Sequence, residues 1–218
     1  MKGLKRGIKL VLGVSFAGLG MMSAAIAADM YASNPWTGFY AGILGGVNAL
    51  NPHPRASNFV QPKDTSFLVG GLLGYNYQID HWVLGVEGHI AYTNPDKTRP
   101  CAGANWRCNA GADWIGSIRA RAGFAANDQV LIFATGGLAL LGYEGYTFYT
   151  PTSKKYKDSK TFTGWTVGGG FNYRVTDNIL VGVEALYARY GRKSMQYDDP
   201  YPVKPATFSA FATITYKF

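Results

Sequence analysis

From Phe67 onward the chain changes face with every residue. Phe67, Val69, Gly71, Leu73, Tyr75 and Tyr77 share one side, and Ser66, Leu68, Gly70, Leu72, Gly74 and Asn76 share the other. A repeat of two is the side-chain period of an extended strand, and a helix cannot satisfy it. The pattern returns with Trp82, Leu84, Val86, Gly88, Ile90 and Tyr92 set against Val83, Gly85, Glu87, His89 and Ala91. It returns again with Trp114 to Phe124, Trp165 to Tyr173, Ile179 to Tyr187 and Phe208 to Phe218. Residues 36–49 and 130–143 are apolar on both faces, so they read as strands whose register stays open. The total is about eight strands, each near the ten residues that cross a bilayer at a barrel's tilt.

The apolar faces identify the solvent. Aromatic residues stand at both ends of them, as in the two interfacial girdles of a membrane barrel. Charged residues make up 16% of the chain, against about 25% in soluble domains. Beyond the N-terminal segment no apolar run is long enough for a spanning helix, which needs about 20 residues. A closed barrel is the remaining architecture that satisfies every backbone group in lipid. The connections alternate in length. Residues 79–81, 126–128 and 176–178 are short and rich in turn formers, whereas 50–64, 94–112, 144–160 and 190–206 are long and polar. The expected fold is all-β: an eight-stranded antiparallel transmembrane β-barrel with short periplasmic turns and four long extracellular loops. Such a lumen is filled by side chains; open porins need 16–18 strands.

The N-terminus reads as an export signal. Lys2, Lys5, Arg6 and Lys9 precede an uncharged apolar run over residues 10–22, and Ala25-Ile26-Ala27 supplies small residues at the cleavage positions. Residues 1–27 are therefore expected to be removed, leaving 28–218 as one barrel domain that ends on its last strand. Removal of four of the 21 basic residues leaves a mature excess of about four over the 13 acids. Cys101 and Cys108 share one polar loop and would traverse an oxidising compartment, so a loop disulfide is expected. A metal site is the poorer reading, with no histidine or third cysteine nearby.

The alternation turns Glu87, Arg119, Arg121, Arg174, Glu184 and Lys217 inward. In a narrow lumen they are expected to pair, Glu87 with Arg119 or Arg121, and Glu184 with Arg174 or Lys217. Gly70, Gly85, Gly123, Gly168, Gly170 and Gly182 would leave room for the long arginines. Lysines and arginines crowd the long loops, among them Arg55, Lys97, Lys154, Lys155, Arg192 and Lys204. They suit lipopolysaccharide, outer-membrane lipid phosphates or polyanionic host ligands. Nucleic acid is not an expected partner. No cofactor is expected; were hemin bound, His53 is the one histidine in a long loop. Catalysis is not expected either, since no serine shows an evident histidine partner.

Several short motifs carry a resemblance. Trp36-Thr37-Gly38-Phe39-Tyr40-Ala41-Gly42, Gly85-Val86-Glu87-Gly88 and residues 116–123 (GSIRARAG) occur in order. Ala134-Thr135-Gly136-Gly137-Leu138-Ala139, residues 164–170 (GWTVGGG) and the terminal Tyr216-Lys217-Phe218 follow them. Together they resemble the small OmpA-like, opacity-type outer-membrane barrels, in particular the alphaproteobacterial surface proteins grouped as a porin family, some of which bind hemin. The resemblance covers the chain from Trp36 onward and implies an outer-membrane location and a surface role. Ile214, Tyr216 and Phe218 resemble the terminal signal read by the barrel-assembly machinery.

Overall fold

The structure is a computed structural model describing residues 34–52, 64–94, 99–100, 106–149, 154–196 and 200–218. Eight long strands follow one another: β1 (Gly38–Pro52), β2 (Asp64–Ile79), β3 (Trp82–Thr93), β5 (Trp106–Ala125), β6 (Val130–Tyr149), β7 (Lys154–Arg174), β8 (Ile179–Tyr190) and β11 (Pro205–Lys217). Three short pieces sit in the connections: β4 (Arg99–Pro100), β9 (Lys193–Gln196) and β10 (Pro200–Val203). Each long strand is antiparallel to its chain neighbours, and β1 pairs with β11 from Tyr40↔Lys217 to Pro52↔Pro205. The ring closes, so across the membrane every long strand is paired on both sides, the condition for crossing lipid. No helix among the described residues is long and apolar enough to cross a membrane.

Exposure follows the alternation. Phe67, Ile118 and Leu138 are 79%, 66% and 68% exposed, while Glu87 and Arg119 are 3% and 1% exposed. The two strands left open by sequence are now registered: Phe39, Ile43 and Val47 face outward on β1, and Ile132 and Leu138 on β6. Ten residue steps separate Trp82 from Tyr92 on β3. At ordinary strand rise and barrel tilt this spans about 25 Å, the height of an outer-membrane apolar band.

The short turns are built by their own side chains. Asn127 Oδ1 accepts from the amides of Gln129 and Val130, both at 2.8 Å. Thr176 Oγ1 does the same for Asn178 and Ile179, at 3.4 and 3.0 Å. Asp80 takes φ +52° in the two-residue turn between β2 and β3, a conformation open to Asp but not to bulky residues.

The long connections differ from expectation. Residues 106–112, 144–149 and 154–160, read as loop, continue β5, β6 and β7 beyond the membrane, with pairs running to Trp106↔Tyr149 and Tyr149↔Lys154. The sequence there is polar and lacks the apolar alternation, while the backbone ladder continues. A register shift between Ala112 and Trp114 marks the change of environment on β5.

Candidate functional site: the charged layer of the lumen

Four charged side chains meet in mid-lumen, each with a glycine directly opposite on a neighbouring strand. The pairs are Glu87↔Gly74, Arg121↔Gly85, Arg119↔Gly137 and Glu184↔Gly170. The space is needed. A Cβ on Gly137 would lie 2.2 Å from the Ile118 carbonyl oxygen, and one on Gly170 would lie 2.2 Å from that of Val183. Of the glycines expected to make room, Gly85 and Gly170 hold these positions; Gly74 and Gly137 hold the others.

The bonding is dense. Arg119 Nη1 donates to Glu184 Oε1 at 2.6 Å, and Arg119 Nη2 donates to Glu87 Oε1. Arg121 Nη1 donates to Glu87 Oε2 at 2.8 Å and to the Tyr40 hydroxyl at 2.6 Å, and its Nη2 donates to Asn172 Oδ1 at 2.7 Å. The Tyr40 hydroxyl donates to Glu87 Oε2 at 2.9 Å. The guanidinium carbon of Arg121 stands 3.8 Å from the centroid of the Phe133 ring. Two acids and two bases balance, and each carboxylate holds a charge-assisted contact, which is what makes burial of such a group tolerable.

Apolar clusters flank the charged layer on both sides, with buried polar side chains among them, Asn48 and Ser209 toward the long connections and Asn76 and Gln78 toward the short turns. Toward the long connections, Leu44, Leu68, Ile115, Leu141, Phe162 and Phe211 belong to one buried cluster. Toward the short turns, Trp36, Val83, Ala125, Leu131 and Leu180 pack with Phe133. Trp36 enters from the segment ahead of β1, its amide donating to Gln78 Oε1 at 3.0 Å. The space left beside the cluster is about 10 Å³, roughly the room of one water.

Two expected pairings are corrected. Glu184 reaches neither Arg174 nor Lys217. It lies opposite Gly170, four residues up β7 from Arg174, about 13 Å along a strand. Arg174 sits at the periplasmic mouth, 3.5 Å from Asp177, and Lys217 Nζ donates to the Thr37 carbonyl at 3.3 Å. A third correction concerns serine and histidine. His89 Nδ1 and Ser117 Oγ lie 2.9 Å apart as register partners on β3 and β5. Sequence separation hid this pair. Tyr40 and Phe133 were missed as members of the cluster because the registers of β1 and β6 were open, although Tyr40 belongs to a motif already noted and Phe133 directly precedes another. Ile214, Tyr216 and Phe218 face outward at the end of β11. Residues 1–27, His53 and Cys101 lie outside the described residues, and with Cys101 the expected Cys101–Cys108 bond.

The chain matches a family profile described as outer membrane protein β-barrel domain over residues 14–218. It is 30% identical over 201 residues to the 25 kDa outer-membrane immunogenic protein of Brucella ovis, covering 86% of this chain and 92% of that one. It is 27% identical over 222 residues to the 31 kDa outer-membrane immunogenic protein of Brucella melitensis biotype 1, covering 86% and 90%. Among solved structures, Neisserial surface protein A is similar in fold, with a TM-score of 0.50 at 17% identity over 84% of this chain and 98% of that one.

Proposed function

The chain belongs to the outer membrane protein β-barrel domain family, and on that premise we propose that it serves as a sealed surface barrel of the outer membrane. It contributes to the envelope and presents its extracellular connections, and it carries no appreciable ionic current. The observation behind this reading is the charged layer held between two apolar clusters, with about 10 Å³ left beside it. An ion crossing the lumen would have to shed its water at the apolar clusters and break the Arg–Glu contacts. Single-channel recording of the refolded protein tests it. Wild type should show small, infrequent openings, and Glu87→Ala with Arg121→Ala should show larger or noisier ones. A steady, large wild-type current unchanged by the substitutions would overturn the reading.

The same geometry speaks against catalysis. Ser117 and His89 have the spacing of a nucleophile and a base, but both are buried and face the lumen. Apolar side chains lie between them and the aqueous mouth, and neither reaches the lipid-facing surface where an acyl substrate would sit. The lipid A mass spectrum should be the same with and without expression of this protein.

A further inference from the structure

The outward wall of β7 and β8 is apolar or glycine from the periplasmic end up to Trp165 and Tyr187. Two residues above Tyr187 the outward position is Arg189, which is exposed. Its cross-strand neighbours are Trp165 on one side and Ala206 on the other. Lys204, half-buried, stands two residues before Ala206, and Arg192 is exposed just past the end of β8. Among the described residues no carboxylate pairs with Arg189, Arg192 or Lys204. Below them Trp165 and Tyr187 meet edge to face with centroids 5.9 Å apart, and Phe208 is half exposed.

The opposite end differs. Each short turn carries an exposed aspartate, Asp80, Asp128 and Asp177, and the cations of that end, Arg174 and Lys217, lie on the lumen side, with Arg174 beside Asp177. Exposed cations over an outward aromatic ledge are therefore not a feature of that rim. Those of the other rim stand at the head-group level of the leaflet that faces the long connections, directly over an aromatic ledge and an apolar wall. That order, cation above aromatic above hydrocarbon, matches a phosphorylated lipid from head to tail.

We propose that the outward face of β7, β8 and β11 at this rim seats the phosphate-bearing head of an anionic outer-leaflet lipid. Arg189 and Lys204 hold phosphate oxygens, and Trp165 and Tyr187 flank the junction of head and chains. The guanidinium of Arg189 suits a phosphate through paired N–H donors. The inference rests on the outer-membrane placement and is independent of the sealed lumen.

The test uses the full chain, refolded into phosphatidylcholine nanodiscs, with retained diphosphoryl lipid A counted by native mass spectrometry. Arg189→Gln with Lys204→Gln should weaken retention about thirtyfold, the effect of removing two cations at a membrane surface. Lys154→Gln with Lys155→Gln, at the start of β7 some ten residues from Trp165, should leave retention unchanged, and millimolar inorganic phosphate should not displace the lipid. Equal retention by the first variant, an equal fall in the second, or displacement by inorganic phosphate would each overturn the proposal. Wild type compared on diphosphoryl and dephosphorylated lipid A gives a reading that needs no variant to fold, and equal retention of the two would also refute it. Failure of the protein to enter nanodiscs at all would instead count against its placement in the membrane.

Discussion

Arg119 is where the two sides of the lumen meet. Its guanidinium takes Glu87 from β3 and Glu184 from β8, and its side chain is fully buried. Removing it would leave Glu184 buried with no cation in contact and Glu87 with Arg121 alone. Breaking a buried charge network by one partner typically costs about 3–5 kcal/mol, whereas replacing all members by neutral groups of similar size is often tolerated. Arg119→Ala should therefore lower the urea midpoint for loss of the folded gel band sharply. The quadruple variant Arg119→Met, Arg121→Met, Glu87→Gln, Glu184→Gln should recover most of the loss. A quadruple variant no more stable than Arg119→Ala would mean that side-chain packing, and not charge balance, dominates at this position.

At the level of elements, the hairpins β2–β3 and β7–β8 are built alike. Asn76 stands opposite Gly85 and Asn172 opposite Gly182; Gly74 stands opposite Glu87 and Gly170 opposite Glu184. In ring order the two hairpins lie four strands apart, so they face each other across the lumen, which is how one arginine serves both glutamates. The Asn–Tyr, Asp, Gly–Val–Glu series was visible in sequence; its placement at opposite walls came from ring closure. The closing pair, β1 with β11, depends on the C-terminal end. The Phe218 amide donates to the Phe39 carbonyl at 2.9 Å, and its ring meets Tyr216 at 5.2 Å between centroids. Deleting Phe218 should reduce the assembled fraction far more than deleting one residue from a long connection, as read by the heat-sensitive gel band in outer membranes. Equal assembly would remove any special role for the last residue.

For the whole molecule, closure makes stability cooperative. Across the membrane every long strand is held on both edges, and apolar clusters lie on either side of the charged layer along the axis. Unfolding one strand exposes backbone groups on two neighbours, which lipid or detergent cannot satisfy. The protein should therefore stay folded in cold dodecyl sulfate and change mobility on boiling. A single mobility under both conditions, or recovery in the soluble periplasmic fraction, would contradict the closed barrel.

Six of the eight long strands, their lipid-facing sides and the inward direction of Glu87, Arg119, Arg121 and Glu184 could be read from the sequence alone. Lipid on one side and a packed lumen on the other impose a period of two that survives without any tertiary information. The periodicity stopped being informative where that contrast was missing. On β1 and β6 both faces are apolar, so Tyr40 and Phe133 had no assigned direction until pairing supplied one. In the continuations of β5, β6 and β7 the sequence carries no such contrast, so they looked like loop. Partner choice was the third thing left to the fold. Which carboxylate meets which arginine depends on register and on the crossing of the lumen, distances that do not exist along a single strand. That is why Glu184 belongs to Arg119, 65 residues away, and not to the nearby Arg174.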